Sequence, residues 1–111
     1  MQPPTAGMNR MVLSATLVER AALRYTPAGL PALDLSLKHE SEVSEDSQPR
    51  KVSMEMKAVA IGAISQALMP LELGSSGLYA GFLTSTRNGR GLLFHITSVE
   101  LVARPVPSGS N

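Results

Sequence analysis

Arg24-Tyr25-Thr26-Pro27-Ala28-Gly29-Leu30-Pro31, running on into Ala32-Leu33-Asp34-Leu35-Ser36-Leu37-Lys38-His39, decides how this chain folds. Pro27 fixes its own φ and Gly29 permits a positive φ, so the backbone can reverse between them. After the turn, Leu33, Leu35 and Leu37 alternate with Asp34, Ser36 and Lys38. A strand with that pattern buries one face and leaves the other polar. The stretch predicts a β-hairpin, its second strand running from about Leu30 to Glu40.

Outward from the hairpin, the same period recurs. Residues 9 to 18 predict a first strand, with Met11, Leu13, Ala15 and Leu17 on one side. Its other side, Val12, Ser14, Thr16 and Val18, is half apolar. Residues 41 to 50 are polar, acidic and without periodicity, and read as an exposed loop. A third strand follows over 51 to 60, with Val52, Met54, Met56 and Ala58 as its apolar row. Ile61, Ile64, Ala67 and Leu68 have helical spacing and predict one short helix before Pro70; Gly62 weakens it. A fourth strand spans 78 to 85. Asn88-Gly89, a favoured tight-turn pair, leads to a fifth over 92 to 102. Its apolar row is Phe94, Ile96, Val99 and Leu101, and the change of phase near Ser98 predicts a β-bulge. Phe82 and Phe94 share apolar rows and read as core. Residues 1 to 8 read as a flexible leader, 9 to 103 as one domain, and 104 to 111 as a flexible tail. Five short strands with at most one short helix bury their apolar rows when the sheet curls. The expected fold is all-β: a five-stranded, partly open Greek-key barrel of the OB type with long hairpin loops.

Bulk properties narrow the function. A chain of 111 residues is the size of one domain, and a net charge of +1 argues against a histone-like polycation. There is no cysteine, hence no disulfide, thiolate metal site or cysteine nucleophile. No stretch approaches the roughly 20 apolar residues of a membrane span, and residues 1 to 7 lack the regions of a signal peptide, so a cytoplasmic location is expected.

No catalytic constellation emerges. His39 and His95 are the only histidines, and no carboxylate pair completes a metal site around them. The serines lack a nucleophile elbow, and Asn88-Gly89-Arg90-Gly91 is neither a P-loop nor a dinucleotide fingerprint. What stands out is the placement of cations. Lys38, Lys51 and Lys57 fall on the polar face of the second and third strands, with Arg50 at the base of that hairpin. Arg87 and Arg90 flank the Asn88-Gly89 turn. Arg24 and Tyr25 sit at the first turn, and His39 ends the second strand's apolar row. On an OB barrel these segments border one groove. Cations there neutralise phosphates, while aromatic and guanidinium planes stack on bases. Lysines on a polar strand face also serve solubility alone.

Several segments resemble one family. Asn9-Arg10-Met11-Val12-Leu13-Ser14-Ala15, the Arg24-to-Pro31 turn, Leu35-Ser36-Leu37-Lys38-His39-Glu40-Ser41, Gly81-Phe82-Leu83, Asn88-Gly89 and Leu93-Phe94-His95-Ile96 are similar to the primosomal replication protein N family, PriB. Relatives among the single-stranded DNA-binding proteins (SSB) share some of them. The resemblance covers about residues 9 to 102.

The resemblance implies a homodimer of OB folds that binds single-stranded DNA. It implies a role in replication restart, stimulating the restart helicase and reloading the replisome at stalled forks. The implied partners are that helicase, a loader-recruiting primosomal protein and SSB. It implies no enzymatic activity, no metal and no cofactor. Carried over by position, Arg24 or Tyr25, Lys38, His39 and the adjoining strand with Arg50, Lys51 and Lys57, and the turn with Arg87 and Arg90 are the DNA-binding residues. This chain departs from better-known members: two arginines replace several lysines in the last turn, and Ser53 and the acidic run 41 to 46 stand where those members carry aromatics. Stacking on a base is worth about 1–3 kcal/mol, so modest affinity and a shallow salt slope are expected. The alternative reading is an OB-fold protein-interaction module of a replication assembly with little direct DNA binding.

Overall fold

A computed structural model describes residues 7–102. The expected leader and tail fall mainly on residues 1–6 and 103–111, which lie outside the described residues. The elements are β1 (Met11–Arg20), β2 (Arg24–Tyr25), β3 (Pro31–Glu45), β4 (Gln48–Ile61), α1 (Ile64–Leu68), β5 (Ser76–Ser85) and β6 (Leu92–Leu101).

The strands lie in the order β1-β5-β6-β4-β3-β2, and a further β1–β3 pairing closes the sheet on itself. The closed unit has five strands, with β2 a two-residue extension on β3. Neighbours are antiparallel except β4 and β6, which run parallel at Ala58↔Phe94 and Val59↔His95. This is the OB barrel expected from the strand count. Its interior is the row read from the first hairpin: Leu33, Leu35 and Leu37 meet Ala15 and Leu17 from β1, Ala58 and Ala60 from β4, Tyr79 from β5, and Phe94 and Ile96 from β6. Helix α1 plugs one end with Leu68, which is fully buried. Gly62, at φ 90°, makes the corner between β4 and α1, so the residue that weakens a helix stands just outside it.

Two bulges let the sheet curl. Val18 is extra between the pairs Leu17↔Leu37 and Glu19↔Ser36. Thr97 is extra between Ala80↔Ser98 and Gly81↔Ile96, one residue from the predicted phase change. At this second bulge the β6 backbone presses on Gly81, where a Cβ would stand 1.8 Å from the His95 carbonyl oxygen.

The largest departure from expectation is the acidic stretch 41–50. It is not a loop: β3 continues to Glu45 and β4 starts at Gln48. The reversal takes two residues, Asp46 (φ 52°) and Ser47 (φ 64°), both left-handed as a tight hairpin turn demands. Glu42 pairs in register with Lys51, and Arg50 Nε donates to Glu45 Oε1 at 3.1 Å. The ribbon projects beyond the barrel with Glu42–Lys51 exposed. With neither face buried, apolar alternation has no physical cause there, and the sequence pattern carries no strand signal. The same projection corrects the buried row expected for β4. Only Ala58 is buried, Val52 and Met56 are half-buried, and Met54 is exposed.

His39 bolts the ribbon to the barrel. Beyond Thr16↔Lys38 the β1–β3 ladder stops and the strands part. The His39 ring fills the gap, Nδ1–H donating to the Ser14 carbonyl at 2.6 Å and Nε2 accepting from Ser41 Oγ at 2.8 Å. The carbonyl can only accept, which fixes that tautomer.

Candidate nucleic-acid interface

The polar face of β3 and β4 carries Asp34, Ser36 and Lys38 opposite Val59, Lys57 and Glu55. A groove of about 370 Å³ opens on this face, bordered by Ser36 of β3, Lys57 of β4, Glu19 at the end of β1, and Thr86 and Leu93 across the β5–β6 turn. Of the residues expected at the site, Lys57 lines this concavity, and Arg87 and Arg90 stand on the turn whose base, Thr86, borders it.

The turn is closed by its own hydrogen bonds. Thr86 N donates to the Gly91 carbonyl at 2.9 Å, and Gly89 N to the Thr86 carbonyl at 2.8 Å. The Asn88 side chain accepts from Thr86 Oγ1 at 2.7 Å and from the Arg90 amide at 2.9 Å. Gly89 takes φ 75°. The backbone is thus held while Arg87 and Arg90 stand exposed, with neither in an ion pair among the described residues.

Arg24 reaches the same face, but not as a free cation. Its Nε and NH2 donate to Asp34 Oδ2 and Oδ1 at 2.6 and 3.0 Å. These hydrogen bonds hold the Asp34 carboxyl below the usual carboxylate range, against a partial burial that works the other way. They raise the guanidinium in turn. A phosphate must compete with Asp34 for this arginine. Tyr25 follows it, 66 % exposed and in register with Pro31.

The remaining predicted residues are dispersed. Lys57 lies in the groove, its Nζ 3.3 Å from Ser36 Oγ. Lys38 lies further along β3, opposite Glu55, in a separate hollow with Ser14, Thr16 and Ser76. Lys51 and Arg50 are out on the ribbon, beside Glu42 and Glu45. His39 is buried, with both ring nitrogens engaged, so its ring has nothing to offer a ligand.

Sequence reasoning missed two features. Glu19 and Ser36 belong to the groove, yet a lone Glu near a turn and a Ser in an alternating strand carry no distinguishing pattern. Phe82, expected in the core, is 39 % exposed and stacks on His95 with ring centroids 4.7 Å apart. Both rows of β5 are largely apolar, so alternation could not say which faced inward. Gly81 was the available signal: the neighbour of a glycine pressed against backbone must point the other way. Among the described residues no group of three metal-ligating side chains comes together, and no helix is long and apolar enough to cross a membrane.

A closed five-stranded barrel, with a polar strand face and a basic turn bordering one groove, defines an OB-fold protein of the single-strand-binding class. A family model described as "another single-strand binding protein family" matches residues 9–98. The chain belongs to that family, and within it to the PriB replication restart proteins. It is 48 % identical over 80 residues to replication restart protein PriB of Bordetella pertussis, covering 72 % of this chain and 75 % of that one. The PriB structure from Ralstonia solanacearum superposes with a TM-score of 0.78 at 35 % identity, over 86 % of this chain and 98 % of that one. The single-stranded DNA-binding protein of Thermus aquaticus superposes with a TM-score of 0.71 at 25 % identity, over 91 % of this chain and 53 % of that one.

Proposed function

We propose that this protein is a single-stranded DNA-binding adaptor of replication restart. The observation that carries the reading is the hydrogen-bonded Thr86–Gly91 turn, which presents two arginines, neither in an ion pair among the described residues, beside a groove on the β3–β4 face, in a chain of PriB kinship. Arg87 and Arg90 neutralise phosphates, Lys57 and Lys38 follow the strand along the face, and Arg24 and Tyr25 flank it. The adaptor acts in the cytoplasm without enzymatic activity. It stimulates the restart helicase and helps replisome reloading at stalled forks, together with a loader-recruiting primosomal protein and SSB. It works as a homodimer. Val12 and Leu78, at 49 % and 39 % exposure, lie with Phe82 on one outer face of the β1-β5-β6 sheet and support that reading.

The grip on DNA is modest. Acidic side chains outnumber basic ones along the ribbon, and Arg24 is engaged by Asp34, so few free cations face the strand. The exposed acidic ribbon favours the second reading, in which contacts to the helicase dominate. Fluorescence titration with single-stranded and duplex oligonucleotides across salt tests the first. We expect preference for the single strand. Arg87→Ala with Arg90→Ala should lower affinity and reduce the salt slope by about 1.4. Equal binding to both forms, or an unchanged slope, removes the DNA role from this turn. Retention of the helicase by the protein in the absence of DNA would support the second reading.

A further inference from the structure

The groove beside the turn contains chemistry that phosphate neutralisation does not need. Ala21 and Leu93 give it apolar walls, and its volume, about 370 Å³, falls in the range of small-molecule sites. Ser36, 2 % exposed, stands between two charges. Its Oγ donates to Glu19 Oε1 at 3.4 Å and accepts from Lys57 Nζ at 3.3 Å. Both contacts are long for hydrogen bonds, and Glu19 and Lys57 are exposed, so each charge stays open to a ligand in place of water. Glu19 retains an oxygen with no partner among the described residues, and the Lys57 ammonium has donors to spare. Asp34, the other carboxylate here, is taken up on both oxygens by Arg24.

A phosphate gains little at this spot, since Glu19 offsets the charge of Lys57 there and Arg24 is engaged by Asp34. The groove matches a flat, neutral group with N–H donors for Glu19, a carbonyl for Lys57 and apolar faces for the walls. An unstacked nucleobase is such a group, read on its Watson–Crick edge. Guanine alone among the four DNA bases has two adjacent N–H donors, N1–H and the 2-amino group, next to a carbonyl on that edge. Those donors match the two oxygens of one carboxylate, and O6 matches the ammonium. We infer that Glu19, Ser36 and Lys57 form a base-reading pocket that takes guanine from single-stranded DNA in preference to the other bases. The inference rests on the single-strand reading above.

The test is fluorescence anisotropy with the full chain and labelled oligonucleotides of equal length: oligo-dT, and alternating dT/dG, dT/dI and dT/dA. The dT/dG strand should bind roughly tenfold tighter than oligo-dT, the scale of a hydrogen bond to a charged group. Inosine lacks the 2-amino group and should lose most of that gain. Glu19→Gln should abolish the preference for dT/dG over dT/dA, with an unchanged β-rich circular dichroism signal showing that the variant is folded. Equal affinity for all four strands overturns the pocket and leaves the single-strand reading standing. Equal gains from dG and dA assign the effect to purine stacking and overturn it too, as does a dG preference that survives Glu19→Gln. Absence of binding to every strand overturns both readings.

Discussion

Tyr79 sits in the barrel interior at 0 % exposure, and its hydroxyl has no hydrogen-bond partner among the described residues. A buried hydroxyl without a partner carries its desolvation cost uncompensated. Tyr79→Phe should therefore raise stability by about 1 kcal/mol, read as a higher urea midpoint at unchanged slope. Burial also pushes the phenol above its usual 10.0. The folded chain then keeps a proton that the unfolded chain releases, so stability falls as pH rises above the free phenol's range. The phenylalanine variant should lack that part of the alkaline loss. At the protein surface, Asp34→Asn should free Arg24. The ion pair is half exposed and worth about 0.2–1 kcal/mol, so single-strand affinity should rise by up to about fivefold, with a steeper salt slope. Unchanged affinity in a titration would place Arg24 outside the binding face.

Ribbon and turn share one device, a tight reversal, realised with different residues. Asn88-Gly89 supplies the residue that favours a left-handed backbone, and this turn was legible. Asp46-Ser47 holds two non-glycine residues at positive φ, at some local cost. Ser47→Gly should relieve that cost and stabilise the chain by about 0.5–1 kcal/mol in chemical denaturation. A destabilised variant would mean that the serine side chain holds the turn. The two turns explain why some elements could be read and one could not. Leu33, Leu35 and Leu37 announced β3 because one face meets the core. Glu42 to Lys51 stayed silent because no core lies beneath them. The groove followed the same logic. Arg87 and Arg90 could be placed from the turn between them, whereas Glu19 joins the groove only because β1 carries a bulge at Val18 and ends beside Ser36. A contact between residues 17 apart, made through a bulge, leaves no period to detect.

At the scale of the molecule, the barrel leaves one outer sheet face with a run of apolar side chains, Val12, Leu78 and Phe82. This is the face on which the proposed homodimer would form. Val12→Lys should move the sedimentation coefficient from dimer to monomer without loss of the β-rich circular dichroism signal. A dimer that persists would assign its interface elsewhere. Val12 pairs with Ala80, six residues before the turn begins at Thr86, so the Val12→Lys monomer should retain single-strand binding per chain while losing the gain from linked sites.

The His39 bolt gives the ribbon the mechanics of a lever. A partner that pushes sideways on the Asp46-Ser47 tip tilts β3 and β4 together, since their rungs tie them from end to end. Where the β1–β3 ladder ends, the load meets a single ring and its bond to the Ser14 carbonyl. Force there acts in a peeling direction, one bond at a time. Breaking that one bond would free the ribbon to swing against β1 while β3 and β4 still join it to the barrel.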